Sequence, residues 1–360
     1  MSLSIKRYEP KQESEPEIQN PNDFNLTAVL EAMVASTPEH IAEMEKLSRE
    51  AVFILPKLAM SGQLTIINAS FNAGKTLLCC WLLSQRDREV TRSQRIFYIN
   101  ADDTFTGSID KAKIMRDHGI QFLIPGQLGF SVETLKLLLE QAIDSQSAGD
   151  VVFVLDTLKK FVDMMDKRAA RTLTDLLRRF VQAGGTVIAL AHTNKNKASD
   201  GASIAEGVGD FLNDADCGYI IEVVSSQDAP TKTIVFNNTK SRGPNAKKAT
   251  FTYDNGEETS WHERFESVAS LDGDEAKKTI SKIEADRRHA EDVQVIEYIC
   301  ERLKSGPRSR KELCQEDLTN EFSRNRREKV LERYSTDNGG ENRVHWKASK
   351  GKTGGFVYHL

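Results

Sequence analysis

Short apolar runs alternate with helix-prone segments through the central part of the chain. The runs contain four to six residues each, with little polar alternation, and occupy positions 64–67, 95–100, 151–156 and 186–191. Runs of this kind are typical of strands buried in a parallel sheet. The segments between them favour helices, for example the amphipathic stretch at 131–145. The pattern predicts an α/β fold with a twisted, mostly parallel sheet.

The N-terminal region is more polar than this central part. Residues 1–22 carry prolines at positions 10, 16 and 21, and we expect them to form a disordered tail. Residues 23–54 predict two helices, at 25–36 and 38–54. Apolar residues recur at helical spacing in the second of them: Ile41, Met44 and Leu47. Such a stripe could pack on its own domain or dock onto a neighbouring subunit.

The C-terminal region divides into two segments with different sequence patterns, at 256–290 and at 291–360. Residues 256–290 are charged, favour a helix from Asp274 on, and predict a linker. Residues 291–360 predict three helices, the second and third starting at Ser309 and Ser323, and then a β-hairpin around a Lys-Gly-rich turn. This order of elements resembles a winged helix. Basic residues on the third helix and the hairpin are candidate DNA contacts: Arg324, Arg326, Arg327 and Lys350. Protein binding or simple solubility would also explain them.

The composition argues against a membrane-spanning or exported protein. The chain has 360 residues, of which 39% are hydrophobic, enough for one large domain and one or two small ones. It contains no signal peptide and no apolar run of about 18 residues, so we expect no membrane span and no export. The five cysteines show no CxxC spacing and predict reduced thiols in the cytoplasm. The net charge of −4 combines an acidic N-terminal end with a basic C-terminal end.

The most specific chemical signal follows the first apolar run. The sequence ASFNAGKT at 69–76 lies between a predicted strand and a predicted helix, which is the context of a P-loop. In that motif Lys75 reaches the β- and γ-phosphates of ATP and the Thr76 hydroxyl ligates Mg²⁺. Ala69 replaces the first glycine of the motif and reduces backbone freedom. The candidate nucleotide contacts are Ala69, Ser70, Asn72, Ala73, Gly74, Lys75, Thr76 and Leu77.

Polar residues follow three further apolar runs, where ligands bind in open α/β sheets. Asp102, with Asp103 beside it as second choice, could orient or deprotonate a water that attacks the γ-phosphate. Asp156 could hold Mg²⁺. His192 could contact the γ-phosphate and report its loss. A helix cap or turn would explain either aspartate, and a hydrogen bond to a backbone carbonyl would explain the histidine.

Two more segments carry candidate residues. Residues 196–210 are rich in Gly, Ser, Lys and Asp and predict a mobile surface loop. Lys195, Lys197 and Ser203 in and beside it are candidate contacts to single-stranded DNA. Residues 237–253 predict a turn or basic hairpin, from which Lys240 and Arg242 could reach into a neighbouring subunit's ATP site as trans-acting fingers. A solvated basic hairpin is the alternative.

The order of these motifs between about 53 and 253 resembles the RecA/DnaB-type P-loop ATPases, in particular RepA-like hexameric helicases. The resembling segments are Leu55-Pro56, Gly62-Gln63-Leu64, the P-loop, Tyr98, Ala101-Asp102-Asp103, 154–158, 191–195 and 240–244. The resemblance implies a RecA-like core at 55–255, with His192 as γ-phosphate sensor and with Lys240 and Arg242 as the finger pair. By analogy with the family, it also implies a homo-oligomer in the form of a hexameric ring. The family usually has glutamate at position 102, so the shorter acid implies slower catalysis or a share for Asp103.

Two functions of different classes follow from the sequence. The first is an ATP-driven ring that moves along single-stranded DNA and unwinds DNA during replication of a plasmid, phage or other mobile element. The second is an ATP-gated switch or loader that binds duplex DNA or a protein partner through its C-terminal domain without processive unwinding. ATP and Mg²⁺ are the expected cofactors of both, and neither involves a membrane.

Overall fold

The computed structural model describes most of the chain as two compact units. The described residues are 27, 30, 31, 34, 36–164, 166–197, 203–205, 213–315, 322–336, 343–351 and 355–360. One unit comprises residues up to 223 together with 234–270, and the other comprises 224–233 together with 271–360. The tail predicted at 1–22 lies outside the described residues, as does most of the helix predicted at 25–36.

A large mixed sheet forms the centre of the first unit. Its strands and a short neighbouring hairpin are β1 (Phe53–Leu55), β2 (Ala59–Met60), β3 (Leu64–Ala69), β4 (Arg95–Asn100), β5 (Gln121–Leu123), β6 (Val151–Asp156), β7 (Thr186–Lys197), β8 (Ser203–Ala205), β9 (Cys217–Val223), β10 (Thr231–Ser241), β11 (Lys248–Asp254) and β12 (Ala269–Leu271). The strand order is β12-β11-β10-β9-β3-β7-β6-β4-β5, and β8 pairs with β7. The strands from β9 to β5 in this order are parallel. This confirms the predicted α/β class with a mostly parallel sheet.

Helices cover both faces of this sheet. The helices described in the first unit are α1 (Pro38–Glu50), α2 (Lys75–Ser84), α3 (Phe105–Asp117), α4 (Val132–Asp144), α5 (Lys167–Gln182) and α6 (Trp261–Glu266). Within β3, Ile67 packs into the core that contains α2, and Ile66 packs into the core that contains α5. Successive residues of a strand point to opposite faces, so a strand covered on both sides has no polar alternation. Burial on both faces therefore explains the unbroken apolar runs.

The start of the first unit corrects one prediction. Helix α1 begins as a capped helix should, with Pro38 in its first turn and the Thr37 hydroxyl accepting from the His40 N–H at 3.3 Å. It ends at Glu50, so the helix predicted at 38–54 is too long. Residues 53–55 instead form β1, which pairs with β2 and buries Ile54 and Leu55 completely. The β-branched and apolar residues after Glu50 are stabilised by burial in the core rather than by a further helical turn.

The second unit is a small α/β assembly. Its elements are α7 (Gly273–Lys304), β13 (Arg308–Ser309), α8 (Arg310–Cys314), α9 (Arg324–Arg333), β14 (Lys347–Lys350) and β15 (Phe356–His359). The strands form an antiparallel sheet in the order β13-β15-β14. Ser309 and Ser323 cap α8 and α9 as predicted. Trp346, Val330 and Leu331 are buried in a core of its own.

Residues 256–290 are more regular than the predicted linker. They contain α6, β12 and the first part of α7. Helix α7 starts at Gly273, where the Asp272 carboxylate accepts from two N–H groups of the first turn, and continues without a break to Lys304. No helix within the described residues is long and apolar enough to cross a membrane.

Candidate functional site

The pairing of the parallel strands brings five sequence-predicted residues to the carboxyl ends of the strands. Ala69, the last residue of β3, pairs with His192 in β7. Asp156, the last residue of β6, pairs with Asn100 at the end of β4. Lys75 and Thr76 open α2, which begins after the loop that follows β3. Side chains from β3, β4, β6 and β7 therefore converge where the carboxyl ends of the strands meet.

The loop at 70–74 turns sharply between β3 and α2. Asn72 and Gly74 both have left-handed backbone, with φ of 58° and 82°. A Cβ on Gly74 would also lie 2.6 Å from the Tyr253 hydroxyl, so this position excludes a side chain for two reasons. Ala69 is buried and has ordinary strand backbone. The alanine in place of the expected glycine is therefore accommodated because the chain turns only after it.

Lys75 and His192 face each other across the site. The Lys75 Nζ and the His192 Nε2 are 3.3 Å apart. Phe71 from the loop stacks on the imidazole, with the ring centroids 4.1 Å apart and the planes 21° apart. Burial lowers the pKa of His192 to about 4, and the charges of Lys75 and Lys159 add to this effect. The imidazole is therefore neutral at pH 7, and its buried Nδ1 has no hydrogen-bond partner.

Asp156 is buried and receives two hydroxyl hydrogen bonds. Thr76 Oγ1 donates to its Oδ2 at 2.9 Å, and the Tyr98 hydroxyl donates to the same oxygen at 2.7 Å. Burial raises the pKa of Asp156, while these two donors and Lys75 oppose the shift. Its Oδ1 is buried without a partner. A hydroxyl beside a carboxylate with a spare oxygen is a hard-oxygen donor set that fits Mg²⁺.

The two neighbouring aspartates after β4 have different surroundings. Asp102 lies 3.8 Å from the His192 Nε2 and forms ion pairs with Lys160 at 3.3 Å and Lys159 at 3.8 Å. Asp103 instead pairs with Lys111 on α3. Only Asp102 of the two therefore contacts the group that contains Lys75 and His192. Lys159 and Lys160, the two lysines paired with Asp102, come from the short 3₁₀ segment Leu158–Lys160 after β6.

An open cleft of about 540 Å³ lies beside this group. Lys136 on α4, Lys159, Lys160 and His192 are among its lining residues, together with apolar side chains that follow β6. Glu133 and Asp163 also line it, so the cleft is mixed in charge. It opens on the same carboxyl edge of the sheet as Asp102.

Lys240 and Arg242 lie at the other edge of the sheet. Lys240 pairs with Gly218 at the beginning of β9, and β9 begins beside the beginning of β3. The six residues of β3, about 17 Å at the usual rise per residue, separate this edge from the loop. The Arg242 Nη1 contacts Asp216 at 3.1 Å, and the Lys240 Nζ donates to a backbone carbonyl of Asn213. These two residues therefore do not join the group around Lys75 in the same subunit.

The carboxylate of Asp216 accepts hydrogen bonds from two donors besides Arg242. Asp216 accepts from the guanidinium of Arg178 at 2.6 Å and from the backbone N–H of Leu64 at 2.9 Å. Its carboxylate thus connects β3, α5 and the segment after β10. The Arg242 side chain remains 53% exposed, so its guanidinium is accessible from outside the unit.

The segment after His192 is partly in regular structure. Lys195 and Lys197 lie in β7, which extends beyond the predicted strand, and Ser203 lies in β8, which pairs antiparallel with it. Residues 196, 197 and 203–205 of the predicted mobile loop are therefore strand, while 198–202 and 206–210 lie outside the described residues. The side chains of the three candidate residues are not described either.

The basic residues of the small unit separate into exposed and buried ones. Arg324 is exposed and pairs with Glu328, and the exposed Arg326 donates to the Glu291 carbonyl. Lys350 is exposed on β14. Arg327 is only 1% exposed and lies over the Tyr298 ring, with its Nη1 donating to the Tyr298 hydroxyl at 3.3 Å. Its guanidinium supports the core, so the predicted DNA contact through Arg327 is not compatible with this burial.

Several residues of the site were not singled out from the sequence. Lys159 and Lys160 come three and four residues after the predicted Mg²⁺ aspartate, and a pair of lysines so close to a strand tip is a signal that sequence reasoning could have used. Tyr98 belongs to the family resemblance without an assigned role, because it lies inside a strand, where nothing in the local pattern marks its hydroxyl as a partner of Asp156. Phe71 occupies a variable position of the motif.

No family model matches this sequence, and no curated protein matches it. The assignment of function therefore depends on the geometry of the site.

Proposed function

We propose that this protein is an ATP-hydrolysing, ring-forming helicase or translocase that acts on single-stranded DNA. Replication of a plasmid, phage or other mobile element is the process in which such an enzyme would act. The proposal assigns the first unit as a RecA-like P-loop ATPase core and the second as a winged-helix-like domain. The strand order β9-β3-β7-β6-β4, with the loop after the central β3, supports the first assignment.

One observation carries the proposal. Lys75, Thr76, Asp102, Asp156 and His192 come from four separate segments and lie together. Lys75 contacts His192 at 3.3 Å, and Asp102 lies 3.8 Å from the same imidazole. Thr76, the neighbour of Lys75 in the chain, donates to Asp156 at 2.9 Å. Each type of residue has a use in phosphoryl transfer, since ammonium and imidazole bind phosphate, a hydroxyl and a carboxylate hold Mg²⁺, and a second carboxylate takes a proton. The unpaired Oδ1 of Asp156 leaves one carboxylate oxygen for such an ion.

Each residue of the site would have a separate role in ATP hydrolysis. The N–H groups of the loop and Lys75 would bind the β- and γ-phosphates. Thr76 and Asp156 would hold Mg²⁺, which supplies charge neutralisation at the β- and γ-oxygens. Asp102 would orient a water and accept its proton as the water oxygen bonds to the γ-phosphorus. The bond to the bridging oxygen breaks with its electron pair, so that ADP leaves.

The position of Lys240 and Arg242 favours a shared site between subunits. Both are too far from Lys75 to act in the same subunit, yet the Arg242 guanidinium is half-exposed. In a closed ring of identical subunits, the opposite edge of one subunit can contact the carboxyl edge of the next. An arginine supplied in this way stabilises the charge of the transition state.

The rate of ATP hydrolysis with and without single-stranded DNA tests the proposal. We expect Mg²⁺-dependent hydrolysis that single-stranded DNA stimulates several-fold and that Lys75→Ala abolishes. Strand separation of a forked duplex by the same preparation would then distinguish a helicase from a translocase. Absence of Lys75-dependent nucleotide binding would contradict the ATPase assignment itself.

An ATP-gated switch or loader is the second candidate. It is favoured by the ion pairs of Asp102 with Lys159 and Lys160, because a carboxylate engaged by two ammonium groups is less available to orient a water. A low hydrolysis rate that DNA does not change, together with an ATP-dependent change of oligomeric state, would support the switch over the motor.

A further inference from the structure

Lys159 reaches back over the loop at 70–74. Its Nζ lies 5.1 Å from the centroid of the Phe71 ring and 3.8 Å from the Asp102 Oδ2. The backbone around it is the 3₁₀ segment that follows Asp156, so a short and regular connection fixes its position. The side chain is 38% exposed and retains freedom to move. Lys159 thus lies between the loop and the proposed base.

Lys160 is the natural comparison for Lys159. It belongs to the same segment, has a similar exposure of 46%, and pairs with the other oxygen of Asp102 at 3.3 Å. The contact with the loop through Phe71 is made by Lys159. The two lysines are therefore matched in their pairing with Asp102 but differ in their approach to the loop.

Several groups that can be positively charged face the same space. The Lys75 Nζ lies 3.3 Å from the His192 Nε2, and Lys159 and Lys160 both pair with Asp102 beside this imidazole. Like charges at short range repel one another, and an anion between them offsets this repulsion. Asp102 supplies one negative charge to this space in the absence of ligand. A bound polyphosphate would supply several more.

We propose that Lys159 is a same-subunit contact to the terminal phosphate of the bound nucleotide, separate from the fingers of the neighbouring subunit. On nucleotide binding its ammonium exchanges the ion pair with Asp102 for an oxygen of that phosphate. Asp102 then loses one of its two ion pairs and is freer to orient the attacking water. This inference rests on the proposed ATPase function and adds a residue to its site.

Equilibrium binding of ADP and of the non-hydrolysable analogue AMP-PNP, both with Mg²⁺, tests the assignment on the full-length chain. We expect Lys159→Gln to weaken AMP-PNP binding by about tenfold or more, as for loss of a charge-assisted hydrogen bond. ADP binding should stay within about twofold of the wild-type value, because ADP lacks the terminal phosphate. Lys159→Arg should restore most of the AMP-PNP affinity. Lys160→Gln should bind both nucleotides as the wild type does.

Each alternative result has a distinct meaning. Wild-type affinity of Lys159→Gln for both nucleotides overturns the inference, and so does an equal loss for ADP and AMP-PNP, which would indicate a structural role. An equal effect of Lys160→Gln would also overturn it, because the effect would then come from Asp102. If the wild-type chain binds neither nucleotide, the proposed function fails first. Lys75→Ala, which should lose both nucleotides, separates that case from failure of the Lys159 assignment.

Discussion

The hydroxyl of Thr76 donates a 2.9 Å hydrogen bond to the carboxylate of Asp156, 80 positions later in the chain. The bond connects the first turn of α2 to the end of β6. Tyr98 donates to the same carboxylate oxygen from β4, and the other oxygen has no partner. The folded chain therefore holds a buried carboxylate with less than full hydrogen bonding, which is unfavourable for stability and useful for binding a cation.

The first prediction concerns the stability of the protein without ligand. Because burial raises the pKa of Asp156, folding disfavours its charged form, and this penalty is present at pH 7 and absent below the unfolded pKa of about 3.8. We expect Asp156→Asn to raise the unfolding temperature at pH 7 by about 2–4 °C, and the difference should disappear near pH 3.5. The same variant should lose Mg²⁺-dependent hydrolysis. Thermal unfolding at both pH values is the measurement, and an unchanged or lower midpoint at pH 7 would contradict it.

The second prediction separates the two aspartates after β4. Asp102→Asn should lower kcat by about 10²–10⁴-fold with little change in nucleotide affinity, because a general base acts in the chemical step. Asp103→Asn is the matched control and should leave kcat within several-fold, since Asp103 pairs with Lys111 away from His192. Single-turnover hydrolysis and nucleotide binding give the two quantities. A larger loss in Asp103→Asn would reverse the assignment.

The third prediction concerns the shared site. Lys75→Ala and Arg242→Ala should each abolish hydrolysis as pure proteins. Mixed oligomers of the two should recover about a quarter of the wild-type rate, because one interface in four combines an intact loop with an intact neighbouring finger. Mixing is done under conditions of subunit exchange, and Lys75→Ala mixed with a Lys75→Ala/Arg242→Ala double variant is the control. No recovery in exchanging mixtures would mean that Arg242 acts within its own subunit.

A fourth prediction distinguishes exposed from buried arginine in the small unit. Arg324→Ala combined with Lys350→Ala should weaken duplex DNA binding and reduce the slope of log K against log salt by about 2. Arg327→Ala should instead lower the free energy of unfolding by about 1–3 kcal/mol, because it removes buried contacts with Tyr298. DNA titrations at several salt concentrations and urea unfolding are the two measurements. An unchanged salt slope would indicate that this face binds protein.

The fifth prediction concerns pH. The pKa of His192 falls from its usual 6.5 to about 4 in the folded protein. A depressed histidine pKa contributes stability that is fully present above pH 6.5 and is lost as the pH falls to about 4. We expect the wild type to lose more stability between pH 7.5 and 4.5 than His192→Gln does. Urea midpoints at the two pH values test this, and equal losses would place the sensitivity on other groups.

The sequence predicts the fold more completely than the site. The positions of β3, β4, β6 and β7 in the chain follow from apolar runs, since burial on both faces leaves a pattern in the sequence. The end of α1 does not, because Ile54 suits a helix face as well as a strand, and pairing with β2 decides between them. Partners such as Tyr98 and Asp156 come from strands far apart in sequence, so their contact depends on strand order and register. The burial of Arg327 likewise depends on Tyr298, on another helix.

The contact between Gly74 and Tyr253 has a consequence for how such a sequence can diverge. A side chain at position 74 would meet both an unfavourable left-handed backbone and the Tyr253 hydroxyl. Position 253 is restricted only by this steric contact. A smaller residue at 253 would remove the contact, but the left-handed backbone at 74 would still exclude a side chain there. Relatives of this chain should therefore keep glycine at 74 while position 253 varies. Residue 253 can therefore change while glycine is kept at 74, whereas no change at 253 permits a side chain at 74. Covariation between the two positions should be weak despite their contact.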